Sequence, residues 1–316
     1  MIKTLCAPLQ GMTDAVWREA HAAIFGGVEA YYGPFLRLEH GTLRNHDLND
    51  VASPLNKRYN FVPQIISCQG EKAIALVNTL RALGYRRIDI NLGCPHPPVA
   101  LHGMGSGLLA RPALLDEMVH ALAGITDVSF SVKMRLGWDD ATQWRAVLPA
   151  LTALRPVHVT VHPRTGRQQY KGELCMAEFE ALLAQATFPV VFNGEIHTRH
   201  QLNAIAARYP TLEGVMVGRG LIAHPALMAP EKENAEHHRA FHERLLQGYS
   251  QQLTGGEHQL LGKMKSLWQY FLSDAPRKAR KAVLKARDLE AYRRAATLAI
   301  ESAVPLSLQA ENNFFG

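Results

Sequence analysis

The residues best placed to do chemistry are a cysteine, a lysine and a histidine, each near the end of a short apolar run. Cys94 lies in Arg87-Ile88-Asp89-Ile90-Asn91-Leu92-Gly93-Cys94-Pro95. Ile88, Ile90 and Leu92 alternate with Asp89, Asn91 and Gly93, which is the two-residue period of a strand with unlike faces. The strand stops at Gly93, so the thiol stands at a strand's carboxyl end, where parallel α/β folds keep their chemistry. A free cysteine is otherwise most often an inert buried thiol. With a pKa near ~8.5 it stays mostly protonated at neutral pH and can give up a proton. In the run 128–136, Val128, Phe130, Val132, Met134 and Leu136 share one face. Lys133 and Arg135 are left on the other, and an inward lysine is costly unless it meets an anion or a polar ligand. The same parity sends His158, Thr160 and His162 inward from the run 157–162, with Arg164 in the loop beyond.

Two further strand ends carry Asn193-Gly194-Glu195 and Gly218-Arg219-Gly220. Glycines there let backbone N–H groups approach a ligand, and in barrels this place commonly holds a phosphate. Gln64, at another strand end, offers an amide for paired hydrogen bonds. These groups fit one long polar ligand, with a phosphate at the last two strand ends and a ring near Lys133 and Gln64. FMN has that form. His238 with His242 and His197 with His200 have helical spacing but no third ligand, so no metal site is expected.

The elements that must position these side chains alternate regularly. Strands are expected at 5–8, 28–32, 62–67, 87–93, 128–136, 157–162, 189–193 and 214–218. Helices are expected at 14–25 (capped by Thr13), 71–83, from Pro112, and near 141–154, 176–186 and 198–208. A polar loop is expected between the second and third strands. Eight such units over about 230 residues are what a (β/α)8 TIM barrel requires. A doubly wound sheet is the alternative, but no early G-x-G-x-x-G fingerprint supports it. Beyond Ala229-Pro230 only helical patterning follows, near 233–253, 257–273, 276–287 and 289–303. The expected organisation is a barrel domain at 1–230 and a C-terminal helical bundle domain at 231–316, with 312–316 as a loose tail.

The chain has 316 residues, 47% hydrophobic and 20% charged, which describes a soluble globular protein. No apolar run approaches the ~20 residues of a membrane span, and the first residues lack a signal-peptide layout. Cys6, Cys68, Cys94 and Cys175 are scattered, with no C-x-x-C pair, so neither zinc nor a disulfide framework is indicated and a reducing cytoplasm is expected. Net charge is +6, and it is concentrated: Lys263 to Arg294 holds ten Lys/Arg against three Asp/Glu, or +7, so the rest sums to −1. That segment suits a polyanion.

In order along the chain, six motifs resemble the tRNA-dihydrouridine synthases. They are Ala7-Pro8-Leu9-Gln10-Gly11-Met12-Thr13-Asp14, Asp89 to Pro95, Val132-Lys133-Met134-Arg135-Leu136-Gly137-Trp138, Val161-His162-Pro163-Arg164-Thr165, Asn193-Gly194-Glu195-Ile196 and Val217-Gly218-Arg219-Gly220. The C-terminal Lys263-Met264-Lys265-Ser266-Leu267-Trp268 is similar, more loosely, to the family's RNA-binding helical domain. Arg37 and the Leu136-Gly137-Trp138 tail look most like the branch acting on D-loop uridine 16. The resemblance implies an FMN oxidoreductase that reduces uridine in tRNA with NADPH, in the cytoplasm and as a monomer. It implies that Pro8, Leu9, Gln10, Gln64, Lys133, His162, Asn193, Gly194, Glu195, Gly218 and Arg219 hold FMN. Cys94 would be the general acid, and Asn91 and Arg135 would meet the flipped uridine. Arg37, Arg164, Lys263, Lys265 and Arg293 would touch tRNA.

The sequence departs from the family pattern at two places. Gln10 stands where an acidic residue is common, and Pro97-Pro98 follows the cysteine where a basic residue is usual. Two other readings therefore stand beside the first. One is an FMN barrel reducing an ene or pyrimidine metabolite; the other is a catalytically silent tRNA-binding protein.

Overall fold

The computed structural model describes residues 2–39 and 41–303. The expected loose tail at 312–316 lies outside the described residues. Eight parallel strands close into a barrel: β1 Lys3–Cys6, β2 Ala30–Leu36, β3 Phe61–Ile65, β4 Arg87–Leu92, β5 Ser129–Gly137, β6 Val159–Thr165, β7 Val190–Phe192 and β8 Gly214–Val217. Each strand pairs with the next, and β1 also pairs with β8 through Lys3↔Gly214 to Cys6↔Val217, which closes the ring. The helices that follow the strands are α1 Ala15–Ile24, α2 Asn45–Val51, α3 Gly70–Ala82, α4 Pro112–Ala123, α5 Trp144–Leu154, α6 Met176–Gln185, α7 Arg199–Arg208 and α8 Arg219–Ala223.

Strand parity decides the two cores. Phe130, Val132, Met134 and Leu136 of β5 face outward into the layer between barrel and helices, where they are buried. Inside, Leu5, Ala7, Ala30, Tyr32, Val62, Val191 and Met216 form a small plug. Above it the interior turns polar, with Gln64, Asp89, Ser131 and Thr160 all buried. A barrel interior plugged at one end and polar at the other presents its chemistry at the strands' carboxyl ends.

Two local expectations change. Helix α1 is capped by Asp14, whose carboxylate accepts from Trp17 N at 3.1 Å. Thr13 Oγ1 instead accepts from Leu9 N at 2.8 Å and braces the loop after β1. The polar loop expected between β2 and β3 contains α2, a short hairpin (Leu38–Glu39 with Thr42–Leu43) and a 3-10 turn. Helix α2 is nearly all polar, so periodicity hid it. It is held by Asp50, which accepts from Ala15 N at 2.6 Å and from both terminal nitrogens of Arg18 at 3.2 Å.

After the barrel come α9 Ala235–Gln252, α10 Gly256–Leu267, α11 Arg277–Lys285 and α12 Leu289–Glu301. Helix α9 lies on α1: Phe241 packs edge-on to Trp17 at 6.2 Å, Arg244 Nε donates to Glu19 at 2.8 Å, and Tyr249 Oη donates to Asp14 at 2.8 Å. Phe241, Leu245, Trp268, Tyr292 and Ile300 belong to the same continuous apolar cluster as the barrel's outer core. The helix expected over 257–273 ends at Leu267. Leu272 adopts φ +47°, a left-handed conformation, and its N–H donates to Ala223 O at 2.9 Å. The chain is thereby tied to α8 instead of continuing as helix.

Candidate active site

At the strand ends, a relay of hydrogen bonds fixes the polar residues of β3, β4 and β5. Ser131 Oγ donates to Asp89 Oδ1 at 2.5 Å, and Gln64 Nε2 donates to Asp89 Oδ2 at 2.6 Å. Asn91 Nδ2 then donates to Gln64 Oε1 at 2.7 Å. Asn91 Oδ1 accepts from the backbone of Gly93 at 3.1 Å and of Cys94 at 2.8 Å. A wholly buried carboxylate thus orients two amides, and the second amide sets the turn that carries the thiol. Burial lifts the Asp89 carboxyl to about 6, opposed by its hydrogen bonds from Gln64 and Ser131.

The turn itself depends on the glycine loop after it. Cys94 O accepts from Ser106 N at 3.1 Å and from Ser106 Oγ at 2.9 Å. Gly105 lies against the cysteine with φ +57°; a Cβ there would stand 2.8 Å from Cys94 O and 2.9 Å from Cys94 Cβ. Burial raises the thiol pKa above its ordinary value, partly offset by the backbone at His96 and by Arg135 and Lys133. The group is therefore a proton carrier and a poor thiolate.

Facing it are cations. Burial, then repulsion from Arg135, pushes the Lys133 ammonium down to about 8, and it has no hydrogen-bond partner among the described residues. Arg135 donates from Nε to Gly93 O at 3.0 Å and from a terminal nitrogen to Thr165 O at 2.8 Å, and burial lowers it to about 10. His162 is driven well below 6.5 by burial and by the same arginines and lysine, so its ring is neutral. Glu195 gathers Arg164, Arg219 (2.6 Å) and His197 (3.4 Å), and these hold its carboxyl down to about 2, with the His197 hydrogen bond leading. Asn193 Nδ2 donates across to Met216 O at 2.7 Å, fixing β7 to β8.

All eleven residues expected around FMN line one cleft of about 920 Å³, together with Cys94, Asn91 and Arg135. Arg164 stands behind the cleft, spent on Glu195 and on Gly172 O at 2.7 Å. Arg37 pairs with Glu39 and lines a separate hollow beside Cys68, Lys72 and His102. Lys263 is held by Asp14 at 2.7 Å and Gly11 O at 2.8 Å, Lys265 donates to Ala286 O, and Arg293 pairs with Glu243 at 2.7 Å. None of those four lines the cleft.

Tyr170 was not singled out from the sequence. Its ring lies under Arg219 at 4.4 Å and Arg135 at 5.4 Å, and is tilted against His162 at 6.3 Å. The available signal was an aromatic in the loop after a strand ending His162-Pro163-Arg164. Asp89 was legible only as an inward polar residue; its two side-chain partners come from other strands.

A closed parallel barrel with a protonated thiol, an amide relay and a cation cluster at its strand ends is of the enzyme class of (β/α)8 barrels. Residues 5–300 match the dihydrouridine synthase (Dus) family model, and the chain belongs to that family of flavin-dependent oxidoreductases. It is 30% identical over 240 residues to a probable tRNA-dihydrouridine synthase 2 of Bacillus subtilis (strain 168), covering 73% of this chain and 72% of that one. It is 28% identical over 244 residues to a tRNA-dihydrouridine(16) synthase of Neisseria meningitidis serogroup B, covering 73% and 71%. Among solved structures, an old yellow enzyme from Trypanosoma cruzi superposes with TM-score 0.51 at 10% identity, over 76% of this chain and 88% of that one. That likeness concerns the fold alone. No helix among the described residues is long and apolar enough to cross a membrane.

Proposed function

We propose that the protein reduces a D-loop uridine of tRNA to 5,6-dihydrouridine, using FMN and NADPH. The observation that carries this reading is the half-buried, protonated Cys94 thiol in one cleft with Gln64, Asn91, Lys133 and Arg135. The residues present fit FMN. Lys133 is a half-buried cation with no hydrogen-bond partner among the described residues, suited to a polar ring edge. Gly218 stands so close to Leu9 and Ala7 that a Cβ would come within 3.5 Å and 3.3 Å of them, which keeps the phosphate end of the cleft open beside Arg219. Neutral His162 can donate one hydrogen bond without adding charge.

When bound, FMN supplies a hydride to C6 of the uracil ring. Cys94 supplies the proton to C5, and its raised pKa keeps that proton in place at neutral pH. Asn91 keeps one amide hydrogen beyond its bond to Gln64, and with Arg135 it would take the uracil carbonyls. Arg135 is braced by Gly93 O and Thr165 O, so it meets the base without reorganising. A uridine hidden in folded tRNA must be flipped out to reach this depth.

The exposed cations of α11, Arg277, Lys278, Lys281 and Lys285, support a phosphate grip, since Lys263 and Lys265 are engaged within the chain. The relative named for uridine 16 favours that position, and we assign the enzyme to the cytoplasm as a monomer. The test is NADPH oxidation by purified protein with unmodified tRNA beside free uridine, with FMN content measured. Yellow protein that forms dihydrouridine only in tRNA is the expected result. Turnover on the free pyrimidine, or RNA binding without turnover, would select one of the two other readings.

A further inference from the structure

The C-terminal helices reach the mouth at Tyr270. Its ring is exposed and lines the outer part of the cleft with Met12, Phe35, Pro95, Tyr170 and Arg219. The turn that carries it is pinned on every side. Trp268 and Phe271 are buried, and Trp268 Nε1 donates to Tyr292 Oη at 3.0 Å. The Arg280 guanidinium donates to the carbonyls of Trp268 at 2.9 Å and Gln269 at 3.2 Å. Leu272, two residues on, holds its left-handed φ of +47° and bonds to Ala223 of α8, the helix that begins at Arg219. A bulky residue held in that region marks a backbone over-determined by its surroundings, and such strain gathers at functional sites.

What the turn displays is an aromatic face with no ring, cation or side-chain hydrogen-bond contact among the described residues. Tyr170, deeper in the cleft, is already stacked under Arg135 and Arg219. We infer that Tyr270 is a stacking platform for the base next to the one held at Cys94; this rests on the uridine reading above. A nucleotide drawn from folded RNA leaves its neighbour without a stacking partner. An aromatic ring at the entrance restores one, and does so whatever the base, because every base has a π face. Tyr270 is therefore a positioning residue for the RNA substrate.

The experiment compares Tyr270→Ala and Tyr270→Phe in the full-length protein. Affinity for unmodified tRNA is measured by equilibrium binding, and NADPH oxidation without RNA serves as the second readout. The Ala variant is expected to bind tRNA about 5- to 150-fold more weakly, the range a lost base–aromatic stack gives. The Phe variant keeps the ring and should stay within about twofold of the parent. FMN content and NADPH oxidation should be unchanged in both. Parental affinity in the Ala variant overturns the inference. So does equal weakening in the Phe variant, which would assign the effect to the hydroxyl, or a raised KM for NADPH with tRNA affinity unchanged. A parent that binds tRNA and forms no dihydrouridine removes the uridine reading, and the Ala–Phe comparison still decides the platform. A parent that binds no tRNA overturns both.

Discussion

Asp89→Asn tests the relay that positions the thiol. Burial lifts this carboxyl from 3.8 to about 6, so the folded protein holds the proton more tightly than the unfolded chain. A group raised on folding favours the folded state below its unfolded pKa, and that contribution is lost as pH rises through the folded value. At 1.36 kcal/mol per pKa unit, the ionised carboxylate costs about 3 kcal/mol at neutral pH relative to acid. Most of that change falls between pH 4 and 6. From pH 5 to pH 8 the remaining part is about 1.4 kcal/mol. Asparagine has no such titration, but it can no longer accept from both Gln64 Nε2 and Ser131 Oγ, a pH-independent change of at most about 1–3 kcal/mol. Urea unfolding of parent and variant at pH 5, 6, 7 and 8 separates the two effects. The difference between the proteins should move by about 1.4 kcal/mol in favour of the variant as pH rises. Parallel stability curves would refute the buried, proton-binding carboxylate, whatever their offset.

Four other outcomes are expected. Cys94→Ala should retain FMN and its reduction by NADPH while uridine reduction falls about 10²–10⁴-fold, measured by single-turnover reoxidation with tRNA. Gly105→Ala forces a Cβ to within 2.9 Å of both Cys94 O and Cys94 Cβ and leaves an L-residue at φ +57°. It should lower stability by about 1–2 kcal/mol and cut uridine reduction more than flavin reduction, read by thermal melts and the same two half-reactions. Lys265→Ala should chiefly lower Tm, because its ammonium ties α10 to Ala286 at the end of α11, whereas Lys281→Ala should flatten the salt dependence of tRNA binding by roughly one unit of slope.

Much of the barrel could be read in advance because a strand's two-residue period is local. The alternation through Lys133 and Arg135, and through His158 to His162, sorted inner from outer faces without any knowledge of neighbours. The shared cleft of Pro8, Gln64, Lys133, Asn193 and Gly218 follows from strand ends meeting at one rim. What escaped depends on pairings distant in sequence. Asp50 makes α2 a structural element only through Ala15 and Arg18 of α1, and Lys263 looked free until Asp14 stood beside it. The break after Leu267 arises from a bond to Ala223, which no periodicity within 257–273 contains. Tyr170 and Tyr270 sit in turns, where aromatic residues carry no repeating signal.

The pairing of β1 with β8 also has a meaning in time. Cys6 hydrogen-bonds through a ladder whose other member is Val217, so on the ribosome one edge of β1 waits for some two hundred further residues. At about 5–20 residues per second that wait is on the order of 10–40 s. The outer face of α1 waits longer still, because Phe241 and Tyr249 of α9 are what cover Trp17 and bind Asp14. Strand β1 and helix α1 of this enzyme therefore emerge well before the elements that shelter them. During synthesis their exposed edge and apolar face are where a nascent chain of this family is most open to capture by chaperones or by its own neighbours.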